Sequence, residues 1–163
     1  PYFPDSTNDV LNAAIAHEQD GVIKIIVNMA ATQQDAAMTL CKAADISSNY
    51  SNAEKTISLY ERSIEASPKY FIARLHYANY LQKHYCNDMT FNPAVAAVAK
   101  SYYESVIDAS SKYACAYKKL GMLYQIWSDY DSENANELAK KAFDSYVQAI
   151  EYKTEILKYD SIY

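Results

Sequence analysis

The sequence contains very little glycine and proline, with 2 Gly and 4 Pro among 163 residues. Tight β-turns depend on these residues, so the composition excludes a fold built from many β-hairpins. Ala, Lys, Glu, Gln and Leu are plentiful and favour helix. The composition therefore predicts an all-α protein.

Long hydrophobic runs are also missing. The apolar stretch at 22–27 is short and carries Lys24, whereas a membrane-spanning helix needs about 20 apolar residues. We therefore expect no membrane insertion. The start of the chain shows no basic region followed by an apolar stretch, although a signal peptide removed before residue 1 remains compatible with the sequence.

Positive charge and paired cysteines are scarce. The net charge of −5 argues against nucleic acid as the main partner, because phosphate binding needs a basic surface. Cys41, Cys86 and Cys115 are odd in number and lack C-x-x-C spacing, so neither a structural zinc site nor a disulfide framework is predicted. Free thiols favour a reducing compartment such as the cytoplasm.

Catalytic motifs are absent from the sequence. The histidines are His17, His76 and His84, and the last two are eight residues apart, without the spacing of a helical metal pair. No phosphate-binding glycine loop and no nucleophile motif occurs. We therefore predict no enzyme activity, no cofactor and no metal, and we interpret the three histidines as surface or packing residues.

An internal repeat dominates the chain. Residues 60–82 align with residues 103–125 without a gap, at an offset of 43 residues. One further step leads from Tyr103 to Tyr146, where YVQAIE resembles YERSIE at Tyr60. Periods in this range are typical of solenoids of stacked supersecondary units.

The apolar spacing predicts helices separated by short connectors, after an irregular lead-in at 1–8 and within a single domain at 9–163. The first helix is expected to end near Gly21, and a capping box is predicted at Ser51–Glu54. The apolar segment 21–31 is interpreted as a buried helix rather than a strand. The predicted helices are 9–19, 21–31, 32–47, 51–67, 70–85, 92–110, 113–129 and 133–159.

The repeats resemble tetratricopeptide repeats. The first-helix pattern of an aromatic, Leu-Gly and Tyr is matched by Tyr117, Leu120, Gly121 and Tyr124. The second-helix pattern is matched by Ala142, Tyr146 and Ala149, with looser matches earlier in the chain. The resemblance covers 37–150, with a weak continuation over 9–36. It implies an antiparallel helix-pair solenoid of seven to eight helices.

The period departs from that family, which repeats every 34 residues or so. We expect longer helices and longer loops near 84–92 and 127–135 to absorb the difference. Two related interpretations stay open, namely half-a-TPR repeats and Sel1-type repeats, although the glycines that Sel1 repeats carry after Tyr124 are missing.

The resemblance implies a protein–protein interaction scaffold that binds a peptide or partner protein in a concave groove. By register, the groove residues are His76, Asn79, Gln82, Lys83, Lys118, Lys119, Met122 and Gln125. The three lysines predict an acidic peptide or a C-terminal carboxylate as ligand. The 17 Tyr fit either half-buried packing or a contact surface.

A structural subunit is the alternative function. The last helix continues past Ala149 with Ile150, Ile156 and Leu157, and no polar capping helix follows. An exposed apolar end favours self-assembly end to end into a fibre, or attachment to a larger parent protein.

Overall fold

The computed structural model of the protein describes residues 5–50 and 52–160, with side chains over 7–50 and 52–153. Its eight helices and one β-hairpin over these residues confirm the predicted all-α class. None of the described helices is long and apolar enough to cross a membrane. The elements are α1 (Asp5–Ala16), α2 (Asp20–Asn28), α3 (Gln33–Ser47), α4 (Ala53–Ala66), α5 (Ile72–Tyr85), β1 (Cys86–Asn87), β2 (Thr90–Phe91), α6 (Pro93–Ala109), α7 (Ala114–Tyr130) and α8 (Ala135–Asp160).

The N-terminal helices differ from the prediction at their ends. Helix α1 begins at Asp5, so residues 5–8 are helical rather than irregular, while residues 1–4 lie outside the described part. The first helix ends at Ala16, and Gly21 lies in the first turn of α2 instead of capping α1. Glu18 adopts the left-handed conformation there, with φ of 54°. The predicted glycine cap is therefore wrong.

Helix α2 confirms that the apolar segment after Gly21 is helical. The expectation of a buried helix holds only in part, because Ile23 is the one residue of α2 in the core. Ile25 of α2 is 60% exposed, and Met29, which follows the helix, is 79% exposed. The apolar residues of α2 thus cover the core on one side and face solvent on the other.

Asparagine side chains cap two of the helices. The Asn52 side chain accepts a hydrogen bond from the Lys55 amide at 3.0 Å and caps α4. Ser51 itself lies outside the described residues. Asn92 accepts from the first-turn amides of α6, with Pro93 at the first helical position, as predicted.

The predicted connector at 86–91 folds as a β-hairpin. Cys86 pairs with Phe91 and Asn87 with Thr90. The Asn87 side chain accepts hydrogen bonds from two amides of the turn, which holds it closed. The Phe91 ring stacks on Tyr130 of α7, with ring centres 4.9 Å apart. Between α7 and α8, by contrast, the loop is short and covers only residues 131–134. The residues that exceed the usual repeat length lie there in the long helices instead.

The chain forms two compact units, Pro1–His76 and Tyr77–Tyr163. In the first unit, α3 packs closely against α4 because small side chains face each other. The Ser63 hydroxyl donates to the Ala37 carbonyl at 2.6 Å, and the Thr56 hydroxyl donates to Ser47 at 2.8 Å. Helix α1 packs against α2 and α3.

In the second unit, α7 packs against both α6 and α8. The Tyr103 hydroxyl donates to the Gln82 amide oxygen at 2.7 Å, and the Tyr146 hydroxyl donates to Gln125 at 2.8 Å. The tyrosine and the glutamine of the first bond are each followed 43 residues later by those of the second bond, which is the offset of the sequence repeat. The third equivalent tyrosine, Tyr60 in the first unit, donates instead to Asp45 at 2.7 Å. The sequence repeat is therefore a repeat of side-chain interactions in the second unit.

Candidate functional site

The eight residues predicted to line a groove lie on α5 and α7. His76 belongs to the first unit and the other seven belong to the second. Lys83, Lys118, Met122 and Gln125 are exposed, and Asn79 and Lys119 are half-buried. These positions give α7 an accessible, mixed polar and apolar face.

Three of the predicted groove residues are engaged within the fold. Gln82 is buried, with its amide oxygen accepting from Tyr103. His76 lies 2.9 Å from the Asp45 carboxylate through its Nδ1 atom. Gln125 is exposed but accepts from Tyr146. The structure therefore connects these side chains to packing contacts as well as to the surface.

A surface pocket of about 520 Å³ lies between α7 and α8 in the second unit. Of the predicted groove residues, Lys118 lines it. Its walls are mostly apolar and include Tyr146, Ala149 and the exposed Ile150. The remaining lining residues are Ala114, Cys115 and Lys153.

The corresponding surface of α6 is covered. Tyr103 and Val106 on α6 are 0% exposed, and α6 packs against α7. One repeat later, Tyr146 is half-buried, Ala149 is 9% exposed, and Ile150 is 66% exposed. Within the second unit, the same helix face is thus fully buried in one repeat and partly exposed in the next.

The charge around this α7–α8 pocket is positive. Lys118 and Lys153 are both exposed on its lining, and no acidic residue is among the described side chains that form it. A ligand group placed against the apolar walls would therefore meet two ammonium groups. On a chain of net charge −5, this is a local reversal of sign.

Two further groups in the pocket carry chemistry. Cys115 is exposed with a free thiol, while Cys41 and Cys86 are buried. Burial raises the pKa of the Tyr146 hydroxyl, which stays bonded to Gln125. Neither group lies beside a histidine or carboxylate among the described residues of the lining.

The sequence indicated part of this pocket. Register on α7 selected Lys118, and the apolar continuation of α8 selected Ile150. Lys153 was missed because the groove was assigned to first helices alone, and Ala114 was not among the α7 positions selected by register. Ile156 and Leu157 belong to α8, but their side chains lie outside the described residues.

Comparison of the chain with protein-family models, with curated proteins and with solved structures found no match.

Proposed function

We propose that this chain is a tetratricopeptide-like interaction module that binds an amphipathic helix of a partner protein in the α7–α8 pocket. The repeat interpretation is supported by the packing of α3 on α4 and of α7 on α8, and by the Tyr–Gln bonds 43 residues apart. It is also supported by Gly121, which stands where the family has a glycine.

The open face of α8 carries the proposal. Its equivalent residues on α6, Tyr103 and Val106, are fully buried in a helix that packs against α7, so a helix is the proposed occupant of the face that includes Ala149 and Ile150. Burial of apolar surface contributes roughly 25 cal/mol per Å² to such contacts. The occupant needs an apolar stripe for the walls of the pocket.

The lysines define the second property of the partner. Lys118 and Lys153 favour acidic side chains beside the apolar stripe, because a charge-assisted contact at the rim steers association and fixes register. The proposed ligand class is therefore an acidic amphipathic helix. This ligand class agrees with the acidic peptide predicted from the sequence. The proposed binding surface is now formed by α7 and α8.

A peptide derived from the α7 sequence tests the proposal. The probe is the sequence 113–130 with C115S, K118E and K119E, which keeps the apolar residues that α7 buries and makes the stripe's border acidic. The control probe keeps both lysines. Fluorescence anisotropy should show the acidic probe binding the full chain at least about tenfold more tightly than the control.

Variants of the full chain locate the contact. I150D and the K118E/K153E pair should each weaken acidic-probe binding about tenfold or more. K83E, an exposed lysine on α5 outside the pocket, is the matched control and should leave it unchanged. Equal affinity in I150D and the wild type would exclude the pocket. A loss confined to K83E would transfer the site to the groove predicted from the sequence.

Self-assembly is the second candidate function, supported by exposed apolar side chains in both units. Ile25 and Met29 in the first unit and Ile150 in the second are more than half exposed. Sedimentation velocity at two concentrations separates the two functions. Growth with concentration that I150D abolishes supports assembly, whereas a monomer at both concentrations contradicts it.

A further inference from the structure

Three side chains of different chemistry meet in the first unit. Cys41 and Asp45 are four residues apart, one turn of α3, and therefore lie on the same helix face. His76 comes from α5. One potential ligand atom from each residue lies within 4.8 Å of the other two.

This set of donor atoms matches a transition metal. Cysteine thiolates, histidine imidazoles and carboxylates are the three types of protein group that bind Zn²⁺, with metal–ligand bonds of about 2.0–2.3 Å. Ligand atoms in such a tetrahedral site are roughly 3.4–3.6 Å apart. Shifts of about an ångström would bring the three atoms to that geometry. The sulfur disfavours Mg²⁺ and Ca²⁺, which prefer oxygen.

The burial of the three residues is graded from the core to the surface. Cys41 is 2% exposed, while the side chains of Asp45 and His76 are 33% and 41% exposed. An ion can therefore enter from the carboxylate and imidazole side, and a water molecule can complete four-coordination there. A thiolate and a carboxylate also balance the charge of a divalent ion.

A buried tyrosine orients the carboxylate. The Tyr60 hydroxyl donates to Asp45 Oδ1 at 2.7 Å, and Tyr60 is 2% exposed. Such outer partners hold metal ligands in place. Asp45 also contacts His76 Nδ1 at 2.9 Å, so the ion would replace the proton shared between them.

We propose that Cys41, Asp45 and His76 form a Zn²⁺-binding site with a water molecule as the fourth ligand. The site lies in the first unit and is independent of the α7–α8 pocket. Its sequence signature is Cys-x-x-x-Asp on α3 followed 31 residues after Asp45 by His76.

Cobalt titration tests the site, because Co²⁺ substitutes for Zn²⁺ and absorbs light. The full chain, stripped of metal with a chelator, should bind one Co²⁺ and develop a thiolate-to-cobalt charge-transfer band. One equivalent of Zn²⁺ should remove the band. Absence of any band, or binding no tighter than that of Mg²⁺ in the same assay, would overturn the proposal.

Variants assign the ligands. C41S should abolish the charge-transfer band, and H76Q and D45N should weaken Zn²⁺ binding more than 100-fold, whereas Y60F should weaken it about 10–100-fold. C115S, which removes the exposed thiol, should behave as wild type. A band that survives in C41S but disappears in C115S or C86S would place the metal elsewhere and refute the site. Because His76 is partly exposed, H76Q should remain folded by circular dichroism, which keeps the test valid if C41S unfolds.

Discussion

Gly121 and Tyr146 approach so closely that a β-carbon on Gly121 would lie 3.0 Å from two ring carbons of Tyr146. The same atom would lie 3.2 Å from the Ala142 carbonyl oxygen. Carbon atoms are best separated by about 3.5–4.0 Å. The close contact between α7 and α8, which involves the pocket residue Tyr146, therefore depends on the missing side chain.

Gly121→Val should lower the free energy of unfolding of the second unit by about 1–3 kcal/mol through overpacking. Trp127, the single tryptophan, lies in this unit and reports its unfolding in urea. Gly21→Ala is the matched control, because nothing lies within 4 Å of the added carbon. It should stabilise the first unit by about 0.5–1 kcal/mol, measured by circular dichroism, and leave the Trp127 transition of the second unit unchanged. Unchanged urea midpoints for Gly121→Val would contradict the close approach.

Tyr103→Phe and Tyr146→Phe remove the same hydroxyl from equivalent positions. Tyr103→Phe should cost about 1–3 kcal/mol, because the buried Gln82 amide oxygen loses its donor. Tyr146→Phe should cost less than about 1 kcal/mol, because Gln125 is exposed and water replaces the hydroxyl. Urea unfolding followed by Trp127 fluorescence measures both. Equal decreases in the free energy of unfolding would show that burial does not determine how much each hydrogen bond contributes to stability.

The second unit should lose stability at alkaline pH. Burial, with a smaller effect of Glu104, raises the pKa of Tyr124 to about 12, whereas a tyrosine in the unfolded chain ionises near 10. Burial raises the pKa of Tyr103 as well. Below about pH 10 the hydroxyls are neutral in both states and the full stability is present. Above about pH 10 only the unfolded chain loses its protons, so stability falls as pH rises.

Each such tyrosine should contribute a slope of roughly −1.4 kcal/mol per pH unit between about pH 10 and 12. Urea titrations at several pH values in this window give the slope. Tyr124→Phe should make it shallower, while Tyr130→Phe, which removes a hydroxyl from a 49% exposed residue, serves as the comparison. A slope that Tyr124→Phe leaves unaltered would refute the assignment to Tyr124.

Alkylation should distinguish the three cysteines. The nucleophile is the thiolate, and burial raises the pKa of both the Cys41 and Cys86 thiols, whereas Cys115 is exposed. Iodoacetamide at pH 8 should therefore add one group per folded chain, located on Cys115 by peptide mass mapping. In denaturant all three should react. Comparable rates at Cys41 in the folded protein would contradict its burial.

Periodicity predicted helices such as α4 well, because its buried residues Thr56, Leu59, Tyr60 and Ser63 recur at helical spacing. Helix ends were predicted less well, since they depend on a single backbone conformation. The chain turns at Glu18 although Gly21 is three residues away, and Asn52 caps α4 although Ser51 is also a capping residue type. Local propensity ranks such neighbours almost equally, so it does not fix the exact residue at which a helix ends.

The candidate sites show a similar limit. Register placed Lys118 on an accessible face of α7, but the partner lysine, Lys153, comes from another helix. The search for cysteine spacing did not find the Cys41, Asp45 and His76 cluster. The cluster contains a single cysteine, and His76 lies 31 residues after Asp45 in the sequence. His76 lies on a different helix from the other two residues, so only the folded structure brings the three together.

Each Tyr–Gln bond is contained within a single helix hairpin, since Gln82 and Tyr103 lie on α5 and α6 and Gln125 and Tyr146 lie on α7 and α8. A duplicated or deleted segment of 43 residues would carry donor and acceptor together. Adding or removing one whole hairpin, during evolution or by engineering, would therefore not leave a buried glutamine such as Gln82 without its tyrosine donor.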